Sequence, residues 1–347
     1  MNARQDTTNS YLKSLAVLTV LIFAVLAVAS PSFLTATNLN SMGFQFPEFG
    51  LLALAVLPTM ISGGIDLSVV ATANLAAITA AVIMKAAPEL AWLAIPAALA
   101  VGTACGAFNG FLIAYLRLPP ILATLGTMQL FAGFGIAITR GPAITGLPDW
   151  YTAFGNWSIG GILPLPLLLF ALVALALSVL LRRTPVGLRL RLFGANPVAA
   201  RFAGIRERGL LIRIYAITGF IAALAGLVVL ARVNSANADY GSSYLLLVIL
   251  INILAGVSPA GGFGTVAGVV LAVISLQFIS SGLNSLSFSA FSRDLFFGGL
   301  LVAVMSLRAA AGSVGFATLF QRKAKPHEGA SPLPARNPDA HSWPVGP

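Results

Sequence analysis

Apolar residues fill long runs along this chain, and short polar intervals separate these runs. A helix needs about 20 residues to cross the hydrocarbon core of a bilayer, and most of the runs approach that length. The pattern predicts an all-α polytopic membrane protein with about ten transmembrane helices, some of them discontinuous. The predicted spans are Tyr11–Ala29, Phe46–Ile61, Leu67–Met84, Leu90–Leu116, Pro119–Thr139, Ile162–Leu181, Leu210–Ala231, Tyr244–Val257, Thr265–Gly282 and Asp294–Leu307.

Composition supports a membrane location. The 347 residues are 58% hydrophobic and 9% charged, whereas soluble domains have about 25% charged residues. The net charge of +10 could suggest nucleic acid, but the basic residues gather in one interhelical loop and the two ends, a pattern typical of membrane topology. A single cysteine, Cys105, excludes an internal disulfide, and both histidines lie near the C-terminus. We therefore predict no metal site, no nucleic-acid partner and no catalysis in this chain.

The most polar interval is Arg182–Arg213, which carries eight arginines and one acid. Such loops stay on the cytoplasmic side. Asn196 can cap a short helix that has Pro197 at its first position, and Gly204 suits the left-handed residue that ends it. The apolar edge of this helix carries Val198, Phe202 and Ile205, and Arg201 lies on its polar side. Two interpretations are open: the helix docks into a groove on another protein, or it lies on the lipid surface with its arginines near anionic headgroups.

Ten spans put both termini on the side of this loop. We predict a cytoplasmic N-terminus over 1–10, a transmembrane domain over 11–308 that includes the cytoplasmic loop 182–209, and a cytoplasmic tail over 309–347. The tail has too little apolar surface to fold from about residue 321. The first span could also be a cleaved signal, but Pro31 follows the small residues at 27–29 and disfavours cleavage.

Two glycine-rich segments interrupt the apolar pattern and predict helix breaks or gating elements. The first holds Gly63, Gly64 and Asp66, and the second holds Gly261 and Gly262. Asp66 precedes the third span, where a carboxylate can cap a helix N-terminus. Acids within a membrane are also often functional, so a contact with substrate or a gate is the alternative.

Amide side chains inside predicted spans can hydrogen-bond a polar substrate. Each can equally join two helices, an interaction worth about 0.6–2 kcal/mol. In the fourth span, a small-xxx-small spacing predicts close packing against another helix. The pathway candidates are Asn74, Asn109, Gln129, Asn252 and Gln277, and the close-packing glycines are Gly102, Gly106 and Gly110.

Outer loops carry two further candidate features. Trp150, Tyr151 and Trp157 suit a membrane interface. The charge pairs Arg232/Asp239 and Arg293/Asp294 could dock a delivery protein or be ordinary solvated loop charges.

Four segments, in order, resemble the membrane permease of a bacterial ABC importer of the ribose type. They are the Gly-Gly-Ile-Asp-Leu-Ser run at 63–68, the run from Leu118 to Met128, the loop residues Gly194–Pro197 with Gly204, and the C-terminal runs at 261–265 and 281–284. The resemblance covers about residues 12–308. It implies that the helix from Asn196 to Gly204 contacts a separate ATP-binding subunit.

The resemblance also implies a function and partners. The function is the import of a monosaccharide, a ribose-like sugar or related polyol, from the periplasm across the bacterial inner membrane. The implied partners are an ABC ATPase, a periplasmic substrate-binding protein, lipid and a second permease chain, identical or not. This chain would need no cofactor, because its lysines lack the glycines of a phosphate loop and the ATPase would bind ATP and magnesium. The alternatives are a permease for branched-chain amino acids or nucleosides, or an ion-coupled secondary transporter.

Overall fold

A computed structural model describes residues 2–161, 163–289 and 291–306 of the chain, and the described residues up to Val304 belong to one compact unit. The predicted tail over 309–347 lies outside the described residues. The helices are α1 (Asn2–Ala29), α2 (Ala36–Ile61), α3 (Val69–Ala86), a 3-10 helix (Pro88–Leu93), α4 (Ala94–Ala114), α5 (Pro120–Thr139), α6 (Asp149–Asn156), α7 (Leu165–Arg183), α8 (Pro185–Ala195), α9 (Pro197–Phe202), α10 (Glu207–Val233), α11 (Tyr244–Leu254), α12 (Val266–Ser285) and α13 over 291–306.

Eight helical segments in the described ranges are long and apolar enough to cross a membrane: α1, α2, α3, the 3-10 helix with α4, α5, α7, α10 and α12. They correspond to eight of the ten predicted spans. The predicted eighth span is the short helix α11, and the tenth corresponds to α13. The prediction of a polytopic helical membrane protein is confirmed. Ten crossings and cytoplasmic termini stay predictions.

Four two-residue strands are added to this helical fold. Strand β1 (Ile144–Thr145) pairs antiparallel with β4 (Ser235–Ala236), and β2 (Ser158–Ile159) pairs antiparallel with β3 (Leu163–Pro164). The β1–β4 pair ties the connection between α5 and α7 to the connection between α10 and α11, whereas the β2–β3 pair lies within the α5–α7 connection.

The centre of the unit is formed by α2, α3 and α10. Buried residues make up 89%, 72% and 78% of their most apolar windows, against 11% for α1. Helix α2 begins at Ala36, ten residues before its predicted start, because the Thr35 hydroxyl caps it by accepting a hydrogen bond from the Asn38 amide at 3.4 Å. The polar first turns do not contribute to the apolar pattern, so hydrophobicity alone missed them.

Close packing of α4 against α10 follows from the glycine spacing in α4, as predicted. A β-carbon at Gly102 would lie 2.6 Å from the carbonyl oxygen of Gly219, and one at Gly110 would lie 2.7 Å from Cα of Ile212. A β-carbon at Gly106 would overlap the carbonyl oxygen of Tyr215. The two backbones can therefore approach this closely only because these positions have no side chain.

The segment over 140–161 contains a helix that the sequence pattern did not predict. Its helix α6 buries Tyr151, whose hydroxyl donates to the Leu227 carbonyl at 2.7 Å. The assignment of Tyr151 to a membrane interface is therefore wrong, because this hydrogen bond holds the ring against α10. Trp150 and Trp157 remain more than half exposed, as an interfacial position requires.

Candidate coupling site and glycine junction

The arginine-rich loop contains two helices where the sequence predicted one. The additional helix, α8, begins with Pro185 at its first position, and the Thr184 hydroxyl accepts a hydrogen bond from the Gly187 amide at 3.4 Å. Leu190 and Phe193 are buried in the core. The Thr-Pro pair at the start of α8 is the signal that could have predicted it. Helix α8 thus anchors the loop to the membrane domain.

The next helix, α9, has the ends that its sequence predicted. The Asn196 side-chain oxygen accepts hydrogen bonds from the amides of Val198 and Ala199, both at 3.0 Å. Gly204 has φ +77°, and the Ile205 amide donates to the Ala200 carbonyl at 3.1 Å. These bonds satisfy amides at the start of the helix and carbonyls at its end, so a helix of six residues is held in one conformation.

The apolar edge of α9 is divided between the core and the surface. Ala200 is buried and Ile205 packs against the core. Val198 is 54% exposed and Phe202 is 90% exposed. A phenylalanine presented this fully on a short, capped helix is suited to fill a pocket on another molecule.

Positive charge surrounds this edge. Burial, and secondly the charge of Arg182, lowers the pKa of Arg191 below its ordinary value. Arg201 Nε lies 3.8 Å from a Glu207 carboxylate oxygen, and the Arg208 guanidinium lies 4.8 Å from the centre of the Tyr115 ring. Glu207, a half-buried acid, balances few of these arginines. The surface is therefore complementary to an acidic partner or to anionic lipid.

The end of α8 contacts both predicted helix breaks. A β-carbon on Gly194 would overlap the carbonyl oxygen of Ile61, and one on Gly261 would lie 2.6 Å from the Gly194 carbonyl oxygen. One on Gly261 would also lie 2.9 Å from Cα of Gly63. The Gly262 amide donates to the Ile61 carbonyl at 2.8 Å. We call this meeting of three backbones, at Gly63, Gly194, Gly261 and Gly262, the glycine junction.

Left-handed backbone explains why three of these positions are glycine. Gly63, Gly261 and Gly262 have φ values of +86°, +92° and +78°. Position 194 is glycine for a different reason, since the backbone there lies too close to the Ile61 carbonyl to leave room for a side chain. The junction joins the end of α2, the end of α8 and the connection between α11 and α12 through backbone contacts. The end of α8 is therefore in direct backbone contact with both membrane segments.

Asp66 lies beside this junction and is 2% exposed. One of its carboxylate oxygens accepts from the Ser68 amide at 2.9 Å and from the Ser68 hydroxyl at 2.7 Å, and the Ser68 hydroxyl accepts from the Asn109 amide group at 2.7 Å. Helix α3 begins at Val69, so the residue in the capping position is Ser68 and not Asp66. Asp66 instead supports the turn before α3. The neighbouring Gly64 packs against Tyr215 and Pro120.

We expect Asp66→Asn to keep folded yield and much of the transport, because an amide oxygen can accept the same two bonds. Asp66→Leu should lower folded yield, since it leaves the buried Ser68 amide without an acceptor at a cost of about 2 kcal/mol or more. Yield is measured by size-exclusion chromatography in detergent. Normal yield of the Asn variant with loss of transport would instead show a direct role in substrate passage or gating.

Three of the predicted pathway amides bond to other segments of this chain. Asn74 donates to the Ala238 carbonyl at 2.8 Å, and Asn252 donates to the Ala53 carbonyl at 3.0 Å. Asn109 makes the bond to Ser68 described above. Gln277 is buried, and its amide nitrogen has no hydrogen-bond partner in the described part of the chain. The geometry at Asn74, Asn109 and Asn252 favours a structural role, in which each amide joins two segments of the chain.

Gln129 differs from the other four because it lies on an exposed face of α5. Gly126 and Gly133 lie one turn to either side, and a β-carbon at either would meet nothing within 4 Å. An amide on an otherwise apolar helix face is unfavourable in lipid. Water or another polar surface on this face would remove that cost.

Arg232, predicted as an outer docking charge or a solvated loop charge, contacts an acid of this chain. Its Nε lies 2.6 Å from a carboxylate oxygen of Glu48, so it is not a simple solvated charge. Glu48 is 1% exposed, so a partly buried arginine neutralises an acid inside the protein. Separation along the sequence hid this pair, because α2 and α10 meet only in the folded chain. Docking of a delivery protein by the outer charges stays a prediction.

Residues 38–305 match the family described as branched-chain amino acid transport system / permease component. The chain is 35% identical over 305 residues to the autoinducer 2 import system permease protein LsrD of Klebsiella pneumoniae, covering 85% of this chain and 90% of that protein. It is 34% identical over 297 residues to the ribose import permease protein RbsC of Escherichia coli K12, covering 84% and 92%. No solved structure matches the chain.

These matches cover the glycine junction, α9 and most of the spans. They also agree with the resemblance that the four sequence segments indicated, and with a multi-pass protein of the bacterial inner membrane. The chain therefore belongs to the family of branched-chain amino acid transport system permease components, among the ribose-type ABC importer permeases.

Proposed function

We propose that this chain is the permease of an ATP-driven importer that moves a monosaccharide or related polyol into the cytoplasm. The observation that carries the proposal is α9, a capped helix that presents Phe202 and is joined through α8 to the glycine junction. A separate ATP-binding subunit that holds Phe202 in a cleft could move two membrane segments at once. The similarity to ribose and autoinducer 2 permeases supports a sugar-like substrate.

The substrate pathway is proposed to run along the exposed face of α5. Gln129 supplies a neutral hydrogen-bonding group there, and the open space at Gly126 and Gly133 lets another helix approach. A second permease chain opposite this face would enclose the path and remove Gln129 from lipid. A permease whose substrate affinity resides in a separate binding protein needs few binding groups of its own.

Transport by the complete importer tests the function. The permease is co-expressed with its proposed ATPase and binding-protein partners, and the complex is reconstituted in liposomes. We expect uptake of labelled ribose that requires both ATP and the binding protein. Uptake of leucine in place of ribose would support an amino-acid permease, as the family description allows. Uptake driven by an ion gradient without ATP would overturn the proposal.

The same assay tests the path along α5. Gln129→Leu should reduce uptake while folded yield stays normal, because an exposed side chain has little role in packing. Leu130→Ala is the matched control, since Leu130 is also exposed on α5. Equal uptake by both variants would show that Gln129 does not contribute to the pathway.

The proposed topology places the arginine-rich loop and both termini in the cytoplasm. Reporter fusions near Arg201 and at the C-terminus should therefore behave as cytoplasmic, and fusions within the loop over 142–156 should behave as periplasmic. The physical reason is that arginine clusters in short loops resist translocation across the membrane. Opposite sides for the arginine-rich loop and the C-terminus would contradict ten crossings.

A further inference from the structure

A cavity of about 480 Å³ lies between helices at the end of the unit opposite the glycine junction. The first half of α2, the starts of α11 and α13, and the ends of α10 and α12 form its walls. An open groove shares two of its residues, Gln45 and Arg232, and extends to Ser41 and Asn156. The cavity is thus continuous with the side of the protein that we place in the periplasm. Its volume falls in the range of small-molecule sites, about 300–1,000 Å³.

Charged groups in the wall of this cavity balance each other. Glu48 and Arg232 form the ion pair described above, and the Tyr244 hydroxyl donates to the second Glu48 oxygen at 3.3 Å. Arg293 and Asp294 line the side formed by α13. Two positive and two negative groups give no net charge. A neutral ligand fits such a wall better than an ion, which would face a like charge.

Hydrogen-bonding capacity in this wall is left unused. Glu48 Oε1, Arg232 Nε and Arg293 Nε are buried, and none of the three makes a hydrogen bond with correct geometry in the part of the chain that the structure describes. The 2.6 Å contact between Glu48 and Arg232 is short enough for a hydrogen bond, but its angle is unfavourable. Buried polar atoms of this kind are normally paired with protein, water or ligand. Glu48 Oε1 and Arg232 Nε face each other in the ion pair, so Arg293 Nε is the donor of the three that has no partner among the described residues.

The remaining lining suits a molecule with hydroxyl edges and carbon faces. Gln45 and Ser280 add neutral donors and acceptors. Phe49 and Tyr244 add apolar surface, with their rings 6.4 Å apart and inclined at 70°. A polyol has this combination of polar edge and apolar face.

We propose that this outer cavity is a low-affinity entry site for a neutral polyhydroxylated substrate, upstream of the path along α5. The proposal rests on the proposed function, because it assumes that a sugar arrives at this side from a binding protein. Substrate must then leave the site readily, so we expect a dissociation constant in the millimolar range, equivalent to about −4 kcal/mol. The Glu48–Arg232 pair would neutralise both charges beside the ligand.

Cysteine labelling on the assembled importer tests the site. Ser243→Cys is introduced with Cys105→Ser, because Ser243 lines the cavity, is exposed and makes no capping hydrogen bond with its side chain. Its reaction with a membrane-impermeant maleimide is followed with and without ribose. Ribose at about ten times its dissociation constant should slow labelling about tenfold by occupancy. Thr145→Cys in the same background is the matched control, because Thr145 is exposed in an outer loop and does not line the cavity. Leucine should protect neither position.

A cavity-filling variant gives a second measurement. Ser280→Leu should abolish the protection by ribose of the thiol introduced at position 243 and lower ribose uptake several-fold, whereas Ser14→Leu, on an exposed face of α1, should change neither. Ribose uptake by the parent importer without protection of the thiol in the Ser243→Cys variant would overturn the entry site and leave the proposed function intact. Uptake of leucine and not ribose would overturn both.

Discussion

Gly194→Ala is expected to cause a severe loss of folded permease. The added methyl group would overlap the Ile61 carbonyl oxygen, and the neighbouring atoms are backbone of α2 and of the loop that holds Gly262. Backbone cannot move aside as a flexible side chain can, so the cost should be about 3 kcal/mol or more. That energy corresponds to a factor of about 100 or more in the ratio of folded to unfolded protein. Yield after size-exclusion chromatography measures it.

Gly209→Ala is the matched control for this substitution. Gly209 is also on the cytoplasmic side but lies in the first turns of α10, where a β-carbon would meet nothing within 4 Å. Alanine favours a helix over glycine by about 0.5–1 kcal/mol, so the control should keep or improve yield. Normal yield and uptake for Gly194→Ala would show that the junction is not as tight as the geometry indicates.

Phe202→Ala should uncouple the permease from its ATPase without affecting its own folding. The ring is 90% exposed, so it contributes little to the fold, and alanine favours the helix. An aromatic anchor in the centre of an interface is worth about 2 kcal/mol or more, which corresponds to about 30-fold weaker binding. We expect normal permease yield, strongly reduced copurification of the ATPase and loss of substrate-stimulated ATP hydrolysis.

Phe291→Ala is the matched control, because Phe291 is 86% exposed at the start of α13 on the opposite side. It should leave copurification unchanged. The lipid-surface interpretation gives the reverse pattern, in which Phe202→Ala is nearly silent and joint replacement of Arg189, Arg191 and Arg201 weakens membrane attraction. Full ATPase coupling by Phe202→Ala in detergent would exclude the docking role of α9.

Local features of α9 and α4 could be predicted from the sequence because neighbouring residues decide them. Asn196, Pro197 and Gly204 determine where a helix begins and ends through bonds within the same few residues. Small residues every four positions place Gly102, Gly106 and Gly110 on one face of any helix. Long apolar runs likewise determine the spans, because backbone groups in lipid must bond internally.

The sequence pattern missed the polar first turns and the amphipathic segments outside the membrane, because neighbouring residues alone do not decide these structures. Helices α6 and α8 lack the long apolar run of a span, and each is held by a few tertiary contacts, such as the hydrogen bond from Tyr151 to the Leu227 carbonyl and the burial of Phe193. Short helices of this kind gain most of their stability from packing. Their sequences alone therefore give weak signals.

By itself, the sequence determined the membrane class, most of the spans, the ends of α9 and the two glycine-rich breaks. Only the tertiary structure decided that these breaks meet Gly194 in one junction, that Glu48 pairs with Arg232, and that Gln129 is exposed while Asn74, Asn109 and Asn252 bond within the protein. Helix ends and apolar runs depend on residues a few positions apart. The junction, the ion pair and the exposure of an amide depend on groups up to about two hundred residues apart, which only the packing of the helices brings together.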